Sequence, residues 1–249
     1  MARLTLGSLV RAALATYRED FARIAVLAVL VFVPLAVLET LAERGAHAFD
    51  EMDSGPFGLA VLAITLTGAS ASVFGVTFFA GALDSVVGAR RYGHEDVPIR
   101  RVLTSLPYGR LIAANLVVAL VVGLGLILFV VPGVVAMTLL GIVGPLVNIE
   151  RLSVREALRR SVRLVRPRFW LAFFGITVPV LAEEALEHPV TSALWNESFL
   201  VGLLVNAGFA LAVGATVGLL EVTLAHDLIA RDRMERQGTL IFERADRRS

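Results

Sequence analysis

Residues 111–149 read LIAANLVVALVVGLGLILFVVPGVVAMTLLGIVGPLVNI, 39 residues without one charged side chain. As a single helix this stretch would be about 58 Å long at 1.5 Å per residue. That is nearly twice the roughly 30 Å hydrocarbon thickness of a bilayer. Pro132-Gly133 falls near its middle, so the spacing predicts two spans that turn at this pair. Two further uncharged blocks lie on either side, from Phe57 to Leu83 and from Ser198 to Leu220. Soluble helices and strands interrupt their apolar residues with polar ones at periods of 3.6 or 2. Three such blocks, with 57% hydrophobic residues and a mean hydropathy of +0.77, read as an integral membrane protein instead.

Working outward, the sequence predicts an all-α chain of six transmembrane helices with amphipathic helices at the interface. Residues 1–20 form an N-terminal amphipathic helix, with Leu6, Leu9, Val10, Ala13, Leu14 and Tyr17 at helical spacing. Residues 21–230 hold the six spans and 231–249 a polar tail, all within one membrane domain, 1–249. Span one covers Phe21 to Ala42, and span two starts near Phe57. Span five covers Phe169 to Leu186 with Pro179, and span six covers Phe199 to Ile229. Between spans four and five, Ser153 and Glu156 have capping-box spacing. There Arg155, Arg159, Arg163 and Arg166 line one face of a helix over 153–166 that Pro167 ends.

Charge orients the chain. All 23 basic residues are arginine. With the N-terminus inside, the outer loops 39–56 and 183–198 hold Arg44 alone and nine acids, while 22 arginines stay inside. Positive residues near span ends are retained in the cytoplasm. Both termini are therefore expected there, in the cell (inner) membrane. Val10-Arg11-Ala12-Ala13-Leu14 is similar to Val154-Arg155-Glu156-Ala157-Leu158, which admits three repeated units of one interfacial helix and two spans.

The stretch 131–170, VPGVVAMTLLGIVGPLVNIERLSVREALRRSVRLVRPRFW, resembles an uncharacterised family of six-helix bacterial membrane proteins. That family is similar to the membrane domain attached to some glycerophosphoryl diester phosphodiesterases. The residues that carry the resemblance are Pro132, Gly133, Glu150, Ala157, Leu158, Ser161, Phe169 and Trp170. It implies an architecture and a membrane location, not a reaction, because the phosphodiesterase activity belongs to a separate soluble domain.

No nucleophile–base arrangement, phosphate loop or metal-ligand spacing occurs, and with no cysteine there is no thiolate site. No catalytic residue, metal or cofactor is expected. Ionisable groups inside spans are costly and mark functional positions; here these are Asp84, Glu221 and Asp227, joined by the polar Asn206. The four arginines of 153–166 are candidates for lipid headgroups. The expected role is non-enzymatic, organising or sensing the inner leaflet; the alternative is a small-solute transporter or permease subunit. Expected partners are the bilayer, anionic lipids above all, and a second copy or another membrane protein, with no nucleic acid.

Overall fold

The computed structural model describes residues 5–50, 75, 78–85, 100, 104, 106–193 and 198–246. All regular structure among them is helical: α1 (Leu6–Glu19), α2 (Phe21–Asp50), α3 (78–85), α4 (Tyr108–Leu128), α5 (Val130–Leu140), α6 (Val143–Ile149), α7 (Val154–Val165), α8 (Phe169–Ala172), α9 (Val178–Ala193), α10 (Phe199–Phe209) and α11 (Ala215–Asp246). Five stretches among the described residues are long and apolar enough to cross a membrane. Most of the expected second span, and the arginine-rich loop after it, lie outside the described residues.

The outward faces support the membrane reading independently. Along α4, Ile112, Leu116, Leu120, Leu124 and Ile127 are all exposed, a continuous apolar stripe that water would not tolerate. Small residues fill the inside, among them Ala28, Ala36, Ala80, Ala82 and Ala114. Close approach of backbones is how helices pack when lipid removes the hydrophobic drive between them. The rings of Phe32 and Phe79, with centroids 5.1 Å apart, lie directly on Gly214 and Gly218 of the last transmembrane stretch.

The hairpin of 111–149 forms, but it does not turn where the sequence predicts. The chain reverses at Phe129, whose backbone is extended (φ −159°, ψ 137°). Pro132 and Gly133 lie inside the first turn of α5, and Val131 to Val134 is continuous helix. Proline is accommodated there because first-turn amides lack an intrahelical acceptor anyway. Gly133 serves the packing of α4 on α5: a Cβ on it would come within 2.6 Å of the Leu126 backbone nitrogen. The tip is wholly apolar and open, with Leu128, Phe129, Val130 and Val131 at 70%, 73%, 67% and 72% exposure.

The second arm is broken at Gly141-Ile142, between α5 and α6. Farther on, α8 joins α9 through a π-helical turn, Phe173–Thr177. Pro179 explains it: its ring cannot lie against the carbonyl four residues back, and widening the helix relieves the clash. Thr177 in that turn meets Thr138 of α5, hydroxyl to hydroxyl, at 2.8 Å. A second π turn, Ala210–Gly214, joins α10 to α11, and α11 carries the expected polar tail on as helix to Asp246.

The interfacial helices begin alike. In α1 Thr5 and Ser8 form a capping box, and in α7 Ser153 and Glu156 do. The matching Ala13 and Ala157 are both buried. Most of the third helix of the proposed repeat lies outside the described residues.

Candidate functional site

Two polar sites lie one above the other along α6 and α11. The deeper is centred on Asp84 at the end of α3, 5% exposed. Its Oδ1 lies 2.6 Å from His226 Nε2 of α11. Its Oδ2 accepts from Asn148 Nδ2 of α6 at 2.7 Å, and the same amide donates to Ser85 Oγ at 2.9 Å. Small residues let α3 come this close. A Cβ on Gly81 would meet the carbonyl oxygen of Gly144 at 3.2 Å and the Leu111 side chain at 2.8 Å.

The other in-span candidates fall differently. Glu221 precedes His226 by five residues and is 2% exposed; its Oε2 is buried without a hydrogen-bond partner among the described residues. Asp227 is half-buried beside His226. Asn206 belongs elsewhere: it is 15 residues from Glu221, about 22 Å along a helix, and its amide donates to Thr40 Oγ1 at 3.1 Å. Asn115, fully buried on α4, has neither amide atom partnered among the described residues.

The shallower site lies where α6 ends and α7 begins. Arg151, between them, has φ 53°, and the Arg110 guanidinium donates to its carbonyl at 3.2 Å. Arg160 projects from α7 to bind Glu150 at 3.1 and 3.3 Å and Asp232 of α11 at 2.8 Å. A cleft of about 690 Å³ opens here, lined by Glu150, Glu156, Arg159, Arg160, Arg163 and Arg233, with Ile149 and Leu152 as its apolar part. Among the described residues only Arg160 of these arginines is neutralised, and its buried Nη1 still has no acceptor. Glu156 is held below the usual carboxylate range by the Ser153 hydroxyl and amide.

Of the four predicted headgroup arginines, Arg159 and Arg163 line the cleft, while Arg155 and Arg166 are exposed but do not. Arg160, Asp232 and Arg233 escape the sequence reading. Arg160 sits inside a run of like residues, and its acidic partners lie 10 and 72 positions away. Asp232 is one of four acids in the arginine-rich tail, with Glu235, Glu243 and Asp246, and nothing local singles it out.

The residues of the resemblance have structural work. Ser161, fully buried, donates to the Leu139 carbonyl at 2.7 Å. Ala157 is buried, Leu158 packs on the core, and Glu150 holds Arg160. Phe169 and Trp170 join Phe173 and Phe174 in a chain of ring contacts at 5.2–6.1 Å, placed where aromatic belts form at an interface. No family model matches the chain, nor does any curated protein or solved structure. Among the described residues no group of His, Asp and Glu is arranged to hold a metal ion.

Proposed function

We propose that the cleft beside α7 binds the anionic headgroup of a membrane lipid, and that the chain organises or senses the inner leaflet through it. The observation that carries this is the convergence of Arg159, Arg163 and Arg233, unneutralised among the described residues, on one cleft with the unfilled Nη1 of Arg160. Guanidinium groups match phosphate oxygens with paired hydrogen bonds. Ile149 and Leu152 add an apolar wall for the start of an acyl chain. The arginine asymmetry of the loops favours a cytoplasmic orientation for this end, in a bacterial cell membrane, with six spans as the resemblance of 131–170 implies.

The test is native mass spectrometry of the full chain with anionic and zwitterionic lipids. Arg159→Gln, Arg163→Gln and Arg233→Gln combined should lower retention of anionic lipid several-fold per charge, at about 1 kcal/mol each, and the loss should shrink as salt rises. Arg155→Gln with Arg166→Gln should change little. Equal losses from both sets would reduce the arginines to orientation signals. Cysteine at Ser192 labelled by an impermeant reagent from outside, with cysteine at Ser249 protected, supports the orientation; the reverse overturns it.

The small-solute transporter stands as a second reading because the buried Asp84 and Asn148 meet the half-buried His226 between the helices. Solute flux in liposomes carrying the protein would favour it.

A further inference from the structure

We infer that Asp84, Asn148 and His226 form a proton-binding site inside the bundle. It stands apart from the headgroup reading. A carboxylate removed from water persists only beside a positive or hydrogen-bonding partner. An arginine would fix that charge permanently. Among the described residues Asp84 has a histidine in that place instead, 2.6 Å away. Histidine is the side chain whose charge ordinarily changes between about pH 5 and 8. One proton taken from solution sits on His226 Nε2 and bridges to Asp84 Oδ1; its loss leaves the carboxylate facing a neutral ring. The proton belongs to the pair rather than to either residue.

Two further observations point to a ligand at this position. Asn148 is 7% exposed, and with its amide nitrogen committed to Asp84 and Ser85, its Oδ1 is buried without a partner among the described residues. An orphaned acceptor next to a buried carboxylate calls for a hydrogen-bond donor, such as the water that delivers a proton to the pair. Glu221 Oε2, a turn and a half deeper on α11, is a second orphan on the same helix as His226.

The surrounding charges do not substitute for the histidine. On α11 the neighbours are the acids Glu221 and Asp227 and, five residues past His226, Arg231. Among the described residues Asp84 is held by Asn148 and His226 rather than by an arginine. Glu150, past the end of α6, is taken up by Arg160 of α7. On α4, Tyr108 stacks on Phe78 and Arg110 donates to Arg151. At the α1–α2 junction Asp20 pairs with Arg23.

The experiment uses the full chain in lipid nanodiscs with 15N-labelled histidine, and follows the four imidazoles by NMR against pH. His226→Gln assigns the His226 signal. The wild-type His226 signal should respond reversibly to pH, and Asp84→Asn should displace that response. Asn148→Ala should displace it less, leaving the other three unchanged. If Asp84→Asn does not fold, Asp84→Ser, which also removes the charge, is read the same way. A His226 signal that does not respond to pH, or a response indifferent to removal of the Asp84 charge, overturns the inference.

Discussion

The Ser161 hydroxyl of α7 donates to the carbonyl of Leu139, 22 residues earlier, at 2.7 Å. That carbonyl belongs to the last turn of α5, where the break at Gly141-Ile142 leaves acceptors without helical partners. One serine thus supplies the missing donor and ties the interfacial helix to a transmembrane one. Ser161→Ala should cost about 1–3 kcal/mol, the penalty of a buried acceptor left unpaired. Denaturant unfolding in mixed micelles measures it, and Ser161→Thr with a near-native midpoint would confirm that the hydroxyl matters.

The α4–α5 contact should be intolerant of a single methyl group. At Gly133 a Cβ would meet the Leu126 side chain at 2.5 Å and its backbone nitrogen at 2.6 Å, so Gly133→Ala should destabilise by about 1–3 kcal/mol. Gly123, on the same α4, has nothing within 4 Å of that position. There the same substitution should be neutral or stabilise by up to about 1 kcal/mol from helix propensity. Thermal midpoints that move alike for the two would show that the hairpin packs differently.

Much of this architecture is legible in the residues, and the exceptions have physical causes. A run of 39 uncharged residues demands a hairpin on length alone. The location of its turn is less constrained, because Pro-Gly serves a helix's first turn and close packing as well as it serves a reversal. The arginine face of α7 and its cap follow from local spacing. Asp84 could be named as a costly carboxylate, but its partners sit 64 and 142 residues away, and nothing local specifies them. Arg160 is hidden for the same reason: periodicity gives the face of a helix but not which of several arginines meets an acid.

Arg151 occupies a left-handed conformation that costs a residue with a Cβ about 1–2 kcal/mol. Arg151→Gly should therefore raise stability by about 0.5–1 kcal/mol, since glycine's greater freedom in the unfolded chain takes back part of the gain. Arg155→Gly, inside α7, should instead lose about 1 kcal/mol. Opposite signs in equilibrium unfolding are the expected result; two losses would place the strain elsewhere.

The start of α7 should respond to acid. Glu156 is held below the ordinary carboxylate value by its bonds to Ser153, so its contribution is present above that ordinary value and fades as pH falls through the lower, folded one. Glu156→Gln should remove this part of the acid sensitivity, read as a flatter dependence of amide exchange at Ala157 below about pH 5.

The bare apolar tip at Leu128 to Val131 bears on how the protein is made. A hairpin with a polar loop must carry that loop through the hydrocarbon, at the cost of removing its polar groups from water. Here no charged residue between Leu111 and Ile149 has to be dehydrated on the way across. The two arms can enter as one wedge, already paired through Gly125 and Gly133, with the far leaflet reached by hydrocarbon-like side chains alone. Insertion of this pair then carries no cost of dehydrating a charged loop.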